Sequence, residues 1–360
     1  MSEFSTANII SRAVSTPSFP QGLNVGGADI TTLVSMTEYY EQAGEPTSPA
    51  NGAVWWTGSI MYQYVGGAWR IVSVSVPTPP FAGDRGLFAG GIFVNVIDYV
   101  TISTPGNATD FGDLTSAKYG LVGLAGEGRG VFGGAADYDT IDYVTIATAG
   151  NAADFGNLTS NAYYLGACSS GIRGLFGGGQ RSTSLDTIDY ITIATTGNAT
   201  DFGNLSAARL KIASCSNETR GLFAGGNGPS NVIDYVTIAT TGDSTDFGNL
   251  SVGRDFLSSC SNQTYGLFGG GGETAGGKST TIDYVTIATP GNATDFGDLT
   301  LATSNLAACS NGPRGVFGGG ETSGGAINAI SYVTIATPGN ATDFGDLTVA
   351  RSYLAACSGD

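Results

Sequence analysis

Residues 314–358 read RGVFGGGETSGGAINAISYVTIATPGNATDFGDLTVARSYLAACS, and this pattern runs six times along the chain. Copies open at Arg85, Arg129, Arg173, Arg220, Tyr265 and Arg314, at spacings of 44 to 49 residues. A period in this range marks a solenoid, a propeller or an array whose units bury their apolar faces against one another.

Within each copy the texture is β. IDYVTIAT (282–289) alternates β-branched and aromatic residues with polar ones, the period of two of a strand with unlike faces. LFGGG and LAACS are short apolar runs bounded by Gly, Asn and Ser, which suits strands buried on both sides. Nothing reads as a helix. TPGNATDF is a turn between strands, with Gly106, Gly291 and Gly339 placed for positive φ. Asn107, Asn198, Asn292 and Asn340 head Asn-Ala-Thr triplets there. They match the glycosylation pattern but read as turn residues bonding nearby backbone.

Each unit thus supplies four short strands, the make-up of a propeller blade, and six units predict an all-β, six-bladed propeller. The phase of the ends supports closure. The first copy lacks an LAACS strand, and the last is followed by an unpartnered one, so residues 353–358 are expected to complete the first blade.

The units resemble kelch repeats. Gly-Gly pairs such as Gly90-Gly91 and Gly319-Gly320 hold the glycine place. Tyr99, Tyr143, Tyr190, Tyr235, Tyr284 and Tyr332 hold the aromatic place, and Arg209, Arg254 and Arg351 the Arg place. The late Trp of that pattern is missing, and Phe111, Phe155, Phe202, Phe247, Phe296 and Phe344 are expected to fill the space between blades instead. The resemblance implies the fold and is silent on activity.

Composition narrows function. With 14 Lys and Arg against 30 Asp and Glu, the net charge of −16 disfavours nucleic acid and anionic membranes as partners. No apolar run is long enough to span a bilayer, and the N-terminus lacks a secretory apolar core. Cys168, Cys215, Cys260, Cys309 and Cys357 share one place in the LAACS strand, with Leu124 in the sixth copy. They read as buried free thiols rather than as disulfides or a metal ring.

The chain has no His, which removes the commonest general base and the usual zinc ligands, and neither cofactor nor metal is implied. GEGRG and GGGGETAGG carry no Gly-Lys-Ser ending and read as blade loops. Asp98, Asp142, Asp189, Asp234 and Asp283, with Ser331 in the sixth copy, recur too regularly for catalysis and read as structural. Asp110, Asp154, Asp201, Asp246, Asp295 and Asp343 are expected to cap turns or pair with a blade Arg.

Residues 1–84 follow other rules. An arm (1–43) precedes a small three-stranded meander (44–76) with strands at 53–57, 60–65 and 68–74, and a Pro-rich linker (77–84) leads into the propeller (85–360). Asn51-Gly52, Trp55 or Trp56, Tyr62 and Gly67-x-Trp69 resemble a small aromatic module of bacteriophage tail-fibre and other virion proteins. That resemblance implies a virion surface protein, on tail, fibre or capsid. Residues 1–76 would contact other virion proteins, and the propeller would serve host-surface adhesion, to carbohydrate, or particle reinforcement. Synthesis would be in the host cytoplasm. Both a monomer and a homo-oligomer are compatible with it.

The alternatives are a glycan-processing propeller lyase or hydrolase and an intracellular kelch adaptor. The loops after Gly-Gly (92–96, 135–140, 180–187, 227–232, 272–281 and 321–329) vary most between copies. They nominate Tyr138, Arg181, Asn227, Glu273, Lys278 and Glu321 as ligand-binding residues.

Overall fold

The computed structural model describes residues 83–359 except 137 and 274–275, together with six short strands before them. The chain divides into two compact units, 1–79 and 80–360.

In the first unit, Asn24–Val25 pairs with Ala28–Asp29. A separate sheet orders Tyr39–Glu41, Val54–Trp56, Met61–Val65 and Ala68–Val72. The last three strands form an antiparallel meander, and Tyr39–Glu41 adds to it in parallel. A strand therefore forms inside the stretch that the sequence assigns to the arm. Most of the arm and the Pro-rich linker lie outside the described residues.

The second unit is a six-bladed propeller of four-stranded antiparallel sheets. Blade 6 shows the plan: inner strand Ala307–Ser310, second strand Arg314–Gly318, third strand Ala329–Thr334 and outer strand Thr342–Asp346. The third strand does not show the expected period of two: Ile97 and Val100 lie on opposite faces and both are buried, as is Asp98, because the strand is covered on both sides, and only its last Thr is exposed. Blade 1 takes its inner strand from the C-terminus. Ala355–Gly359 pairs with Arg85–Ala89, from Ala355 against Ala89 to Gly359 against Arg85, and so closes the ring as the phase of the ends predicts.

Two reciprocal knobs lock each seam. The Phe of the second strand is fully buried in every blade, a burial that contributes about 1.5–3 kcal/mol per side chain. It lies over the small residue that follows the Phe in the preceding blade. A Cβ on Gly177 would sit 2.6 Å from the Phe223 ring, and one on Gly318 2.8 Å from that of Phe88. In the other direction, each inner-strand Cys points at the Gly that opens the next blade: Cys215 Sγ would be 2.5 Å from a Cβ on Gly266, and Cys357 Sγ 2.9 Å from one on Gly130. Leu124 does the same against Gly174. All five thiols are free and buried, and burial pushes those of Cys168 and Cys309 up to about 12.

Phe111 and its five equivalents fill the seams as expected. Phe155, for example, shares a cluster with Ile191 and Ile193 of the next blade. A bulge makes this possible. Opposite Ile97-Asp98 the outer strand carries Phe111 as an extra residue, so the register jumps from Asp110 to Gly112. The same irregularity recurs in all six blades and blunts each exposed edge.

Polar contacts correct two readings of the sequence. The Asp110 series neither caps turns nor meets the blade Arg; those residues are exposed on the outer strands. The cations instead pair with the buried Asp98 series of the next blade: Lys118–Asp142 at 2.9 Å, Arg209–Asp234 at 2.5 Å, Arg254–Asp283 at 2.7 Å and Arg351–Asp98 at 3.0 Å. Thr and Ser hydroxyls donate to the same carboxylates, as from Thr115 to Asp142 and Thr348 to Asp98.

At the blade 5–6 seam both partners are replaced together, by Thr303 and Ser331. This is the tolerated exchange for a buried pair, because losing one member alone strands a charge. At the blade 2–3 seam only the cation is gone. Ala162 takes its place, and Asp189, buried and bonded by the Thr159 amide and hydroxyl, has its carboxyl pKa raised by burial, with Asp201 adding to it.

The turn reading also changes. Gly106, Gly291 and Gly339 do not take positive φ; that falls to Gly112 and its equivalents, at 146–150°. A Cβ on Gly112 would collide with the carbonyl of Gly150, in the turn of the next blade. The turn Asn does not bond its own backbone but reaches the outer strand of the preceding blade. Asn151 Oδ1 accepts from Asp113 N at 3.1 Å, and Asn107 Oδ1 from Asp346 N at 3.1 Å across the closure seam.

Candidate functional site

The two ends of the central channel differ. At the end where the chain enters, inner-strand serines link blade to blade. Ser216 Oγ donates to Ser169 O at 2.7 Å, Ser261 to Ser216 at 2.7 Å, Ser310 to Ser261 at 2.5 Å and Ser358 to Ser310 at 2.6 Å. Ser169 donates to Ala125, whose missing hydroxyl breaks the circle. On this face Arg85, Arg129, Arg173, Arg220 and Arg314 each stack on the Tyr of their own blade, at 4.2–4.7 Å, and donate to a carbonyl of the next. Asp84 binds the Ser103 amide and hydroxyl and the Asn311 amide, which ties the entry point to blades 1 and 6.

The opposite end is a mouth. Just before each inner strand one residue adopts a left-handed conformation: Gly120, Tyr164, Lys211, Phe256, Asn305 and Tyr353, with φ between 52° and 70°. Their backbones close a ring. Each amide donates to the carbonyl of the equivalent residue one blade back, from Gly120 N to Tyr353 O round to Tyr353 N to Asn305 O, at 2.7–3.0 Å. The ring fixes six Cα positions while leaving side-chain identity open, and the six side chains differ more than those at any seam position. A bulky residue in this region carries a strain of about 1–2 kcal/mol, which Gly and Asn largely escape.

Three of the six are aromatic and meet over the axis. Ring centroids lie 5.3 Å apart for Tyr164–Phe256, 5.5 Å for Phe256–Tyr353 and 5.6 Å for Tyr164–Tyr353. Tyr163 and Tyr119 extend the cluster outward. Lys211 Nζ sits 4.2 Å over the Phe256 ring and 3.5 Å from Asp255. Burial raises the Asp255 carboxyl pKa against the opposing pull of Lys211, and burial also raises the Tyr164 and Tyr353 hydroxyls. Beneath the rings is a cavity of about 110 Å³, walled by small inner-strand residues including Ala213, Ser259 and Ala307.

The loops after Gly-Gly lie on this same face, since Gly271 N bonds Thr303 O and Gly320 N bonds Arg351 O, both in the segment that leads to the mouth. Of the residues nominated from sequence, Tyr138, Arg181 and Asn227 are exposed on separate hairpins, and the Asn227 side chain is turned back to the Leu210 amide. Glu273 pairs in backbone register with Arg254. Lys278 and Glu321 come together across the blade 5–6 seam at 2.7 Å. The structure does not gather the six into one site.

The mouth residues escaped the sequence reading, which followed loop length. Their signal was a single variable position beside the buried Leu or Ile that opens every inner strand. Among the described residues no group of His, Cys, Asp and Glu is arranged to hold a metal ion. Compared with known proteins, the chain matches no family model and no curated sequence.

Proposed function

We propose that this protein is a bacteriophage virion surface protein. Residues 1–76 attach it to other virion proteins, and its propeller is a non-catalytic head that adheres to host-surface carbohydrate through the mouth face. The observation that carries the reading is the division of labour between the two ends. One end is committed to interblade bonds and receives the incoming chain, while the other holds five residue types at six equivalent positions of one repeated backbone frame. Variable residues on a rigid repeated frame are the usual form of a recognition surface.

The kelch-like Gly-Gly, Tyr and Arg places support a scaffold of this kind, and the resemblance of 51–69 to a phage module supports the virion setting. Adhesion is favoured over glycan cleavage because two of the acids near the mouth, Asp255 and Glu321, are each met by a lysine, Lys211 and Lys278. The test has two arms. Mass spectrometry of purified particles is expected to find the chain in stoichiometric amount, and its absence there overturns the virion setting. Incubation with host envelope polysaccharide is expected to give retention without new reducing or unsaturated ends. New ends would make it an enzyme.

A further inference from the structure

Building on the binding-head reading, we infer that the mouth is a subsite for one uncharged pyranose unit of a glycan. The sugar would stack on the cluster of Tyr164 and Tyr353, whose rings lie 39° apart and meet Phe256 edge-on, with its hydroxyls turned to Lys211 and Asp255.

The first argument is conformational. Blades 2 and 6 fill the left-handed position with Gly120 and Asn305, residue types that enter it readily, so the backbone ring does not require an aromatic there. Aromatics nevertheless occupy three of the remaining four places, and they are the three that meet over the axis while staying partly exposed. A partly exposed aromatic floor with a few convergent polar groups is the make-up of a small-ligand site. The C–H face of a pyranose is the matching apolar surface.

The second argument is charge. Of the 14 Lys and Arg, Arg12 and Arg70 precede the propeller, which leaves twelve within it. Five are the stacked arginines of the opposite face, and four are the buried seam cations. The other three, Arg181, Lys211 and Lys278, all belong to the mouth face. Lys211 and Lys278 are each met by a carboxylate, Asp255 and Glu321. Paired donors and acceptors suit hydroxyls, which need both. Arg181, without an ion pair among the described residues, stands on a separate hairpin, so the aromatic cluster itself has no unpaired cation for an acidic sugar, and the chain's net charge of −16 repels polyanions at a distance.

The full chain would be titrated with methyl glycosides of neutral hexoses and with glucuronic and N-acetylneuraminic acid glycosides. Saturation-transfer NMR and calorimetry would read binding, and host envelope polysaccharide would be tested in parallel. The neutral glycosides are expected to bind and the acidic ones not. The triple variant Tyr164→Asn, Phe256→Asn, Tyr353→Asn is expected to weaken neutral binding at least tenfold while melting within a few degrees of wild type.

Three results overturn the inference and leave the binding head standing: selective binding of acidic glycosides, polysaccharide binding that survives the triple variant, or a large drop in its melting temperature, which would make the cluster a structural plug. Failure of the wild type to retain any polysaccharide overturns the binding head itself.

Discussion

The two faces of the propeller are made from the same six repeats, yet they have diverged for opposite physical reasons. On the entry face two repeated sets of side chains reach into a neighbouring blade. The arginines reach a carbonyl of the next blade, and the inner-strand serines reach a carbonyl of the blade before. Along the seams, too, a change must be matched by its partner, as Thr303 and Ser331 illustrate. At the mouth the backbones of the six ring positions bond to each other, so closing the ring there does not depend on the identity of their side chains. The same closed-ring geometry therefore holds residues constant on one side and frees them on the other.

The harshest test of this contrast removes closure. Deleting residues 353–360 takes away the inner strand of blade 1, Tyr353 of the mouth ring and Ser358 of the serine chain together. Calorimetry is expected to show loss of the cooperative transition, and a wild-type melt would mean that closure does not hold the ring.

Next in size is a single seam charge. Arg254→Ala leaves Asp283 buried without its cation and is expected to lose about 3–5 kcal/mol in denaturant titration. The double change Arg254→Thr, Asp283→Ser, which copies the blade 5–6 seam, should lose clearly less. Equal losses would deny the coupling.

Smaller again is a paired glycine test. Gly112→Ala drives a methyl group into the Gly150 carbonyl and should cost more than about 1 kcal/mol, whereas Gly106→Ala meets open space and should stay within about 0.5 kcal/mol.

The smallest effect concerns Asp189. Its folded carboxyl holds a proton more tightly than the unfolded one, so its charge contributes nothing unfavourable at low pH and destabilises as pH rises through the folded value, remaining so at pH 7. Asp189→Asn keeps an oxygen for Thr159 and is expected to raise the melting temperature at pH 7 and change little near pH 3. A variant that melts lower at pH 7 would show that the carboxylate contributes more as an acceptor than it loses as a buried charge.

Much of the scaffold was legible along the chain. The place of Phe111 between blades and the unpaired LAACS at the end were readable, because repeat phase is a one-dimensional pattern, whereas the burial of the third strand on both faces, at Ile97 and Val100, depends on what packs against it. The partner of the blade Arg was not. Asp98 and Asp110 stand opposite each other on adjacent strands, and only the bulge at Phe111 and the twist of the blade decide which of them faces the seam.

The sequence alone thus determined strand content, six blades and a ring closed by its own tail, since each follows from local periodicity and from where the repeat starts and stops. The tertiary structure alone decided which residues confront a ligand. Tyr164, Phe256 and Tyr353 are separated by about two repeats along the chain and become neighbours only because ring closure brings one position of every blade to the axis.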